Sequence, residues 1–219
     1  MAAQIGAKAP ELKVSKWVQG LPTNISKEKD NVVLIEVFQV NCPGCFLYGM
    51  PEAIEIYNKY RNDGVRVFGL ATAFEDYDKN TLENLELLLT KGEVIGETYN
   101  ALSQYGALKD NKLPYKIPFP VAMDSLKREN GNWIDDKVMG FIDTNFPEFR
   151  SYSDMHKAEM IEGVKAYLKT KQFSAETFEE YALRGTPSSI LIDKKGILRY
   201  ISFGQNGYLD SMIKELLEK

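Results

Sequence analysis

The stretch VVLIEVFQVNCPGC, residues 32–45, holds both cysteines of the chain and decides how the rest of the sequence is interpreted. Its first part, Val32 to Val40, is rich in β-branched and aromatic residues, as is typical of a buried strand. Residues 43–62 then place apolar side chains at helical spacing, and Pro51 predicts a kink in that helix. The cysteine pair therefore lies where a strand ends and a helix begins.

Three explanations of this pair are open: a structural clip, half of a metal site, or a redox-active dithiol. A clip is disfavoured because a chain of 219 residues builds its own core, and closing so short a loop removes little unfolded-state entropy. A closed zinc site usually has four protein ligands, yet His156 is the only histidine and has no partner nearby in sequence. We therefore expect no metal and no cofactor, and we favour a redox-active pair.

The position at a helix start gives the two cysteines different chemistry. Free N–H groups and the helix dipole stabilise a thiolate there. Pro43 fits the first helical position, where its missing N–H costs nothing, and Gly44 allows close backbone approach. Cys42 is expected to project at the exposed start, whereas Cys45 lies one turn further in. Cys42 is thus the candidate nucleophile and Cys45 the candidate resolving thiol.

Glu36 is a carboxylate inside the most apolar strand. Strand alternation places it on the same face as Leu34 and Phe38. If that face is buried, the pKa of the carboxyl is raised and it can exchange a proton with a neighbouring thiol. The alternative is an edge position that is partly solvated.

Composition limits the class of protein. The chain is 44% hydrophobic and 26% charged, with a net charge of -4 and a pI near 5.3, which is ordinary for a globular protein and argues against nucleic acid as a partner. Its apolar runs are too short to span a membrane. The first ten residues predict no secretory signal. We expect a cytoplasmic protein, or an extracytoplasmic one if a leader has been removed.

Further elements follow from periodicity and turn residues. Ser174 is the predicted N-cap of a helix that ends near Arg184. Strands are predicted at 65–72, 119–123, 188–193 and 197–203, and helices at 81–90, 93–105, 154–170 and 208–218. The order strand, helix, strand around the cysteines predicts a right-handed parallel crossover.

Together these pieces resemble the thioredoxin superfamily, in particular its redoxin branch of TlpA-like and alkyl hydroperoxide reductase-related proteins. The resemblance rests on residues 9–12, 33–38, 42–45, 119–124 and 184–196. It implies an α/β fold with a central mixed sheet flanked by helices. The chain would form a single domain, 1–219, with a mostly helical insertion at about residues 125–173.

The resemblance also implies roles for individual residues. Cys42 is similar to the attacking thiol and Cys45 to the resolving thiol, while Glu36 stands where thioredoxins carry a buried acid. Pro187 is similar to the cis-proline that faces the cysteines, and Thr186 would present its backbone to a substrate. Substrate contacts are expected at Asn41, Pro43, Gly44, Phe46 and Gly185, with Phe46 turned to the surface and Leu47 to the core.

The function predicted from these roles is thiol–disulfide oxidoreductase. The alternatives are a thiol-dependent peroxidase with antioxidant activity and a non-enzymatic interaction module that kept the fold. Asn41 replaces the usual tryptophan before the first cysteine, and Gln39 stands where a peroxiredoxin has threonine, which argues against peroxidase chemistry. Expected partners are a protein or small-molecule disulfide and a thiol reductant. The redox direction stays open.

The insertion contains many large apolar residues. It could form a small lobe that packs on the domain, a wall of a substrate groove, or a homodimer surface. The residues concerned are Trp133, Phe141, Phe146, Phe149, Tyr152, Met155, Met160 and Tyr167.

Overall fold

A computed structural model describes residues 2–129, 135–205 and 207–218, so Trp133 lies outside the described residues. The strands are β1 Val14–Gln19, β2 Val32–Phe38, β3 Val65–Ala71, β4 Val121–Asp124, β5 Leu126–Arg128, β6 Phe173–Ala175, β7 Ser188–Ile192 and β8 Leu198–Phe203. The α-helices are α1 Met50–Tyr60, α2 Leu82–Lys91, α3 Gly96–Gln104, α4 Asp135–Asn145, α5 Asp154–Thr170, α6 Glu176–Glu180 and α7 Leu209–Glu218.

Six strands form one mixed sheet in the order β1-β4-β3-β2-β7-β8. The central strands β2, β3 and β4 run parallel, while β1, β7 and β8 pair antiparallel with their neighbours. The predicted crossover from β2 through α1 to β3 is therefore confirmed, as is the mixed α/β fold. A parallel strand pair needs such a helical crossover because a tight turn cannot join two parallel strands.

Each face of β2 packs into a different hydrophobic cluster. Leu34 and Phe38 belong to the cluster that contains the helix α1, whereas Val33, Ile35 and Val37 belong to the cluster on the opposite face. The strand is buried on both faces, which explains its nearly continuous apolar sequence. Strand alternation then turns Glu36 toward the α1 face, as predicted.

One edge of the sheet gathers the segments that form the site. Because β2, β3 and β4 are parallel, their carboxyl ends meet at this edge, and antiparallel β7 begins there. Open sheets containing parallel strands bind their ligands at this end. The cysteine segment after β2 and the segment before β7 are therefore neighbours.

The segment from 125 to 173 contains α4 and α5, in agreement with the mostly helical insertion expected from the sequence. These helices share a hydrophobic cluster of their own, formed by Val138, Ile142, Phe149, Val164 and Leu168. The short strands β5 and β6 pair antiparallel and bring the ends of the segment together. We refer to residues 125–173 as the insert; that the whole chain is one domain stays a prediction.

The predicted N-cap at Ser174 is wrong. The helix α6 begins at Glu176, and Ser174 lies in β6, where its hydroxyl donates to Glu179. The free N–H groups at the start of α6 are instead bound by the carboxylate of Asp124, which accepts from Thr177 at 3.0 Å and Phe178 at 3.2 Å. A buried acid from the end of β4 therefore supplies the cap that local sequence did not.

Candidate active site

Cys42 and Cys45 form a disulfide at the start of a helix. The helix begins at Pro43. The Cα atoms of the two cysteines lie 5.4 Å apart, which is ordinary for a disulfide bond. Cys42 is partly exposed, whereas Cys45 is fully buried. The backbone N–H of Cys45 donates to Cys42 Sγ at 3.3 Å. The same N–H is placed to donate to a Cys42 thiolate after reduction, and Cys42 is the accessible sulfur of the pair.

The segment before β7 forms the wall opposite the disulfide. The peptide between Thr186 and Pro187 is cis, and Cys42 Sγ lies 3.5 Å from the Thr186 carbonyl oxygen. A methyl group placed on Gly44 would lie 3.6 Å from Pro187 Cδ, so the two segments are in near contact. The Pro187 carbonyl accepts from the Gly204 N–H at 2.9 Å, which ties the wall to the end of β8. Cys42 Sγ thus faces the polypeptide backbone at Thr186.

Glu36 lies beneath this wall and is 1% exposed. Its Oε2 accepts a hydrogen bond from the Ser189 hydroxyl at 2.8 Å, while its Oε1 is buried without a hydrogen-bond partner. Burial raises the pKa of Glu36 to about 8, opposed by the Ser189 hydrogen bond and assisted by the charge of Glu52. A carboxyl with such a pKa exchanges protons with a thiol at little cost in free energy.

Gly49 connects Glu36 to the cysteines. It follows Cys45 by four residues on the same helical turn, and a methyl group there would collide with Glu36 Oε1 and lie 2.7 Å from Pro187 Cβ. The unpartnered oxygen and the cis-proline therefore border the same small space beside the cysteine turn. Only glycine allows the cysteine turn to approach the carboxylate and the cis-proline this closely.

The helix that carries Cys45 is not a regular α-helix at its start. Residues Cys45–Gly49 form a π-turn, and the Met50 N–H donates to the carbonyl of Cys45 five residues earlier. In this pattern the Phe46 carbonyl would pair with Pro51, which has no N–H to donate. The Tyr115 hydroxyl supplies the missing hydrogen bond at 2.8 Å. The kink predicted from Pro51 thus takes the form of a widened turn, supported by a side chain from a distant loop.

Solved structures of known function share this architecture. No family model and no curated protein sequence matches the chain. A thiol-disulfide isomerase from Corynebacterium glutamicum is 26% identical, with 98% of this chain and 97% of that chain covered and a TM-score of 0.61. A thioredoxin-like superfamily protein is also 26% identical, with 97% of each chain covered and a TM-score of 0.60.

The chain is thioredoxin-like. A Chlorobium tepidum protein assigned provisionally as the thiol:disulfide interchange protein DsbE covers 99% of both chains at 16% identity and a TM-score of 0.53, which supports the fold alone. The predicted superfamily and fold class are confirmed. Assignment to the TlpA-like branch stays a prediction.

The expected substrate contact of Asn41 stays a prediction, and the structure directs the polar groups of its side chain inward. It is buried, its side-chain amide donates to Asp76 at 2.7 Å, and its Oδ1 accepts from the Glu97 N–H at 2.8 Å. Its own backbone N–H donates to Asn80 Oδ1. These internal hydrogen bonds use the polar groups of the side chain. Where thioredoxin relatives carry tryptophan, Asn41 ties the cysteine segment to the segments that follow β3 and precede α3.

The expectation that Phe46 lies at the surface is wrong. It is buried, and its ring packs edge-on against Phe38 at a centroid distance of 6.0 Å, whereas Leu47 is only partly buried. The expectation assumed regular helical spacing. The π-turn puts an extra residue into the turn and so rotates the side chains that follow Cys45.

Gly185 lies under the ring of Phe203, where a methyl group would come within 2.5 Å of that ring. Its carbonyl accepts from the Ser188 hydroxyl at 2.7 Å, so Gly185 shapes the turn rather than offering that carbonyl to a substrate. Pro43 and Gly44 are partly exposed beside Cys42, where a substrate contact stays a prediction.

Sequence reasoning missed three residues of this site: Gly49, Ser189 and Tyr115. Ser189 had a usable signal, because it is one of two serines in a buried strand and pairs directly with Glu36 in the register of β2 and β7. Gly49 also had one, as a small residue one turn after Cys45. Nothing local points to Tyr115, which reaches the π-turn from 69 residues away.

Neither a metal-binding cluster nor a membrane-spanning helix is found among the described residues, 2–129, 135–205 and 207–218. Within them, no cluster of three or more histidine, cysteine, aspartate or glutamate residues is arranged to hold a metal ion. Among the same residues, no helix combines the length and the apolar character that crossing a membrane requires. His156 is exposed on α5.

Proposed function

We propose that Cys42 is the attacking thiol and Cys45 the resolving thiol of a thiol–disulfide oxidoreductase. The enzyme class follows from the thioredoxin-like architecture and the Cys42–Cys45 pair, and it agrees with the thiol-disulfide isomerase of Corynebacterium glutamicum. The observation that carries the roles is the unequal exposure of the two sulfurs: a substrate reaches Cys42, while Cys45 is buried behind it.

The reaction begins from the reduced dithiol. The Cys42 thiolate attacks one sulfur of a substrate disulfide, so a mixed disulfide forms, and the other substrate sulfur leaves as a thiolate and takes a proton. The Cys45 thiolate then attacks Cys42 Sγ, which releases the second substrate thiol and closes the Cys42–Cys45 disulfide. The protein has lost two electrons and two protons, and the substrate disulfide has gained them. A thiol reductant returns the protein to the dithiol.

We assign to Glu36 the role of accepting the proton that the Cys45 thiol releases. The buried thiol must ionise before it attacks, and the low polarity around it opposes ionisation. We assign that proton to Glu36 Oε1, which has no hydrogen-bond partner and packs against Gly49, and a pKa of about 8 lies near that of a thiol. In the reverse direction the protonated carboxyl returns the proton to the Cys45 thiolate. Glu36 therefore serves the step that resolves the mixed disulfide.

We assign to the backbone of Thr186 the role of contacting the substrate polypeptide. Its carbonyl lies 3.5 Å from Cys42 Sγ, so an extended polypeptide that reaches this sulfur passes along Thr186 and Pro187. A protein disulfide is the substrate class that such a backbone surface fits, and small-molecule disulfides fit the same sulfur. A thiol reductant as partner, a homodimer and a cytoplasmic location remain expectations from the sequence.

Replacement of each cysteine tests the assignment. Cys42→Ser is expected to abolish dithiol-dependent reduction of a test disulfide, because the accessible nucleophile is lost. Cys45→Ser is expected to accumulate a mixed disulfide that mass spectrometry detects as a covalent adduct. Unchanged activity of Cys42→Ser, or adducts that form on Cys45 instead of Cys42, would refute the assigned roles.

The peroxidase alternative is tested by its own substrate. Gln39, which stands in place of the peroxiredoxin threonine, is 1% exposed, and its side-chain oxygen accepts from the Phe74 N–H at 3.4 Å. Stopped-flow oxidation of the reduced protein by hydrogen peroxide is expected to be no faster than oxidation of a free thiol; a much faster reaction would favour the peroxidase.

A further inference from the structure

A cleft of about 860 Å³ lies between the insert and the rest of the thioredoxin-like fold. We call it the insert cleft. Two aromatic pairs line it: Phe141 and Tyr167 from the insert, with ring centroids 5.7 Å apart, and Phe74 and Phe178 from the other wall, stacked at 4.5 Å. The volume falls within the range of ligand-binding pockets, about 300–1,000 Å³.

Two chain segments connect the lining of the insert cleft to the region of the disulfide. Phe74 follows β3, and its N–H donates to Gln39, which stands three residues before Cys42. On the other side the lining ends at Arg184, two residues before Thr186 and therefore at most roughly 7 Å away along the chain. A polypeptide lying along Thr186 thus continues toward the mouth of the cleft.

Charged groups of both signs line the insert cleft. The Lys171 side chain is 7% exposed and forms an ion pair with Glu179 at 2.5 Å, so these two charges neutralise each other within the lining. The carboxylates of Glu75 and Glu129 and the exposed Arg184 complete the charged lining that the structure describes. The aromatic surface, rather than a net charge, is therefore the feature of the cleft that a ligand would contact.

Two rings of the lining retain accessible surface. Tyr167, in α5, is 45% exposed, and Phe146, just after α4, is 36% exposed. Both residues line the cleft. Apolar aromatic surface of this kind is stabilised when a second apolar group covers it. The area lies beside the route of the substrate chain, so the group that covers it can come from the substrate itself.

We propose that the insert cleft binds an aromatic side chain of the disulfide-bearing polypeptide, a few residues from the substrate cysteine. The proposal rests on the function proposed above and names a specificity site for it. An extended chain advances about 3.3–3.6 Å per residue, so the side chain in the cleft stands roughly two to four positions from that cysteine. The insert then selects substrates, while the thioredoxin-like part carries out the exchange.

Synthetic peptides test this preference. Each carries one cysteine as a mixed disulfide with glutathione and, at two, three or four positions to either side, Phe, Ala or Glu. The second-order rate constant for reduction by the reduced protein is measured in a single turnover. At one offset the Phe peptide is expected to react about tenfold faster than the Ala peptide, as one large apolar group in a pocket provides. The Glu peptide is expected to be no faster than the Ala peptide.

Variants locate the preference in the insert cleft. Tyr167→Ala is expected to reduce the ratio of Phe to Ala rate constants to about one, while Tyr167→Phe keeps it, because the ring and not the hydroxyl forms the contact. Tyr105→Ala removes an aromatic side chain that is 71% exposed outside the cleft, and it should leave the ratio unchanged. Circular dichroism confirms that each variant is folded.

The outcomes separate the two proposals. Failure of the wild-type protein to reduce hydroxyethyl disulfide, which has no side chain for the cleft, would overturn the proposed function. Normal reduction of that compound with equal rate constants for all peptides at every offset would overturn only the cleft proposal. A ratio that survives Tyr167→Ala would likewise overturn it.

Discussion

Two buried carboxylates occupy strands β2 and β4 of the same sheet, on either side of β3, and their surroundings differ. Asp124, at the end of β4, has both oxygens in hydrogen bonds, with the backbone of Thr177 and Phe178 and with the hydroxyl of Thr72 as donors. Glu36, in β2, has one donor, Ser189, and one oxygen without a partner. Burial raises the pKa of both carboxyls; hydrogen bonds from Thr177, Phe178 and Thr72 oppose the increase at Asp124, and the hydrogen bond from Ser189 opposes it at Glu36.

The difference separates an acid that holds the fold from one that we propose transfers a proton. Asp124, whose two oxygens are both hydrogen-bonded, fixes α6 and the segment just after β3 in place. A carboxylate with a free oxygen is costly to bury, and Glu36 accepts its hydrogen bond from Ser189. The other oxygen, beside Gly49 and Pro187, is the one to which we assign the proton.

The largest expected effect is a gain in stability when the charge at Glu36 is removed. In the folded protein the pKa of Glu36 is about 8, against an ordinary value of 4.5. The folded state therefore binds more protons than the unfolded state between these pH values, and stability falls as pH rises through that window. Below pH 4.5 the penalty is absent; above pH 8 it is complete, at roughly 3–5 kcal/mol.

Glu36→Gln removes this penalty, so its free energy of unfolding should exceed that of the wild-type protein increasingly from pH 4.5 to pH 8. Urea unfolding of the oxidised proteins at pH 4.5, 6.5 and 8.5 measures the difference. Parallel stability profiles for the two proteins would show that the carboxyl is not held in its neutral form, and the contrast with Asp124 would lose its basis.

The next effect is kinetic and has the opposite sign. Glu36→Gln cannot accept the Cys45 proton, so resolution of the mixed disulfide should slow by about 100-fold, equivalent to about 2.7 kcal/mol. Quenched-flow trapping with mass spectrometry follows the decay of the adduct. Formation of the adduct, which depends on Cys42, should proceed at the wild-type rate. Slowing of both steps together would instead indicate a general distortion of the site.

Asp124→Asn is the matched replacement in the filled carboxylate. An amide NH₂ in place of one oxygen leaves at least one of its buried donors without an acceptor, which lowers stability by about 2 kcal/mol. Urea unfolding at pH 7 measures the loss. The rate of mixed-disulfide resolution, per folded molecule, should match the wild-type rate. A resolution defect like that of Glu36→Gln would erase the distinction between the two acids.

How far the sequence predicts this molecule depends on how local each determinant is. The strand β2, the helix after it and the inward face of Glu36 follow from periodicity within about ten residues, and all three are confirmed. The cysteine pair was placed correctly for the same reason. A strand end and a helix start are local events, and they determine where the disulfide lies.

Features that depend on distant partners were not predicted. Asn41 has its hydrogen-bond partners 35–56 residues away, and the cap of α6 comes from Asp124, 53 residues before Thr177. The orientation of Phe46 depends on a π-turn that regular helical spacing does not include. No window of sequence contains these pairings, because the fold brings them together.

The smallest expected effect concerns a third buried acceptor, the Phe46 carbonyl. The π-turn and Pro51 deprive it of a helical partner, and the Tyr115 hydroxyl fills it at 2.8 Å. Tyr115→Phe keeps the ring and removes the donor, so it should lower the free energy of unfolding by about 1 kcal/mol.

Tyr99→Phe is the matched control, because the Tyr99 hydroxyl donates to Asn111 in an exposed hydrogen bond of 3.2 Å, where water can replace it. Urea unfolding of both variants at pH 7 makes the comparison. Equal losses would mean that the π-turn does not need its partner. A larger loss for Tyr115→Phe would show that the turn carrying Cys45 follows the rule seen at Asp124: acceptors that hold the site in place are filled, and the oxygen of Glu36 is left free to react.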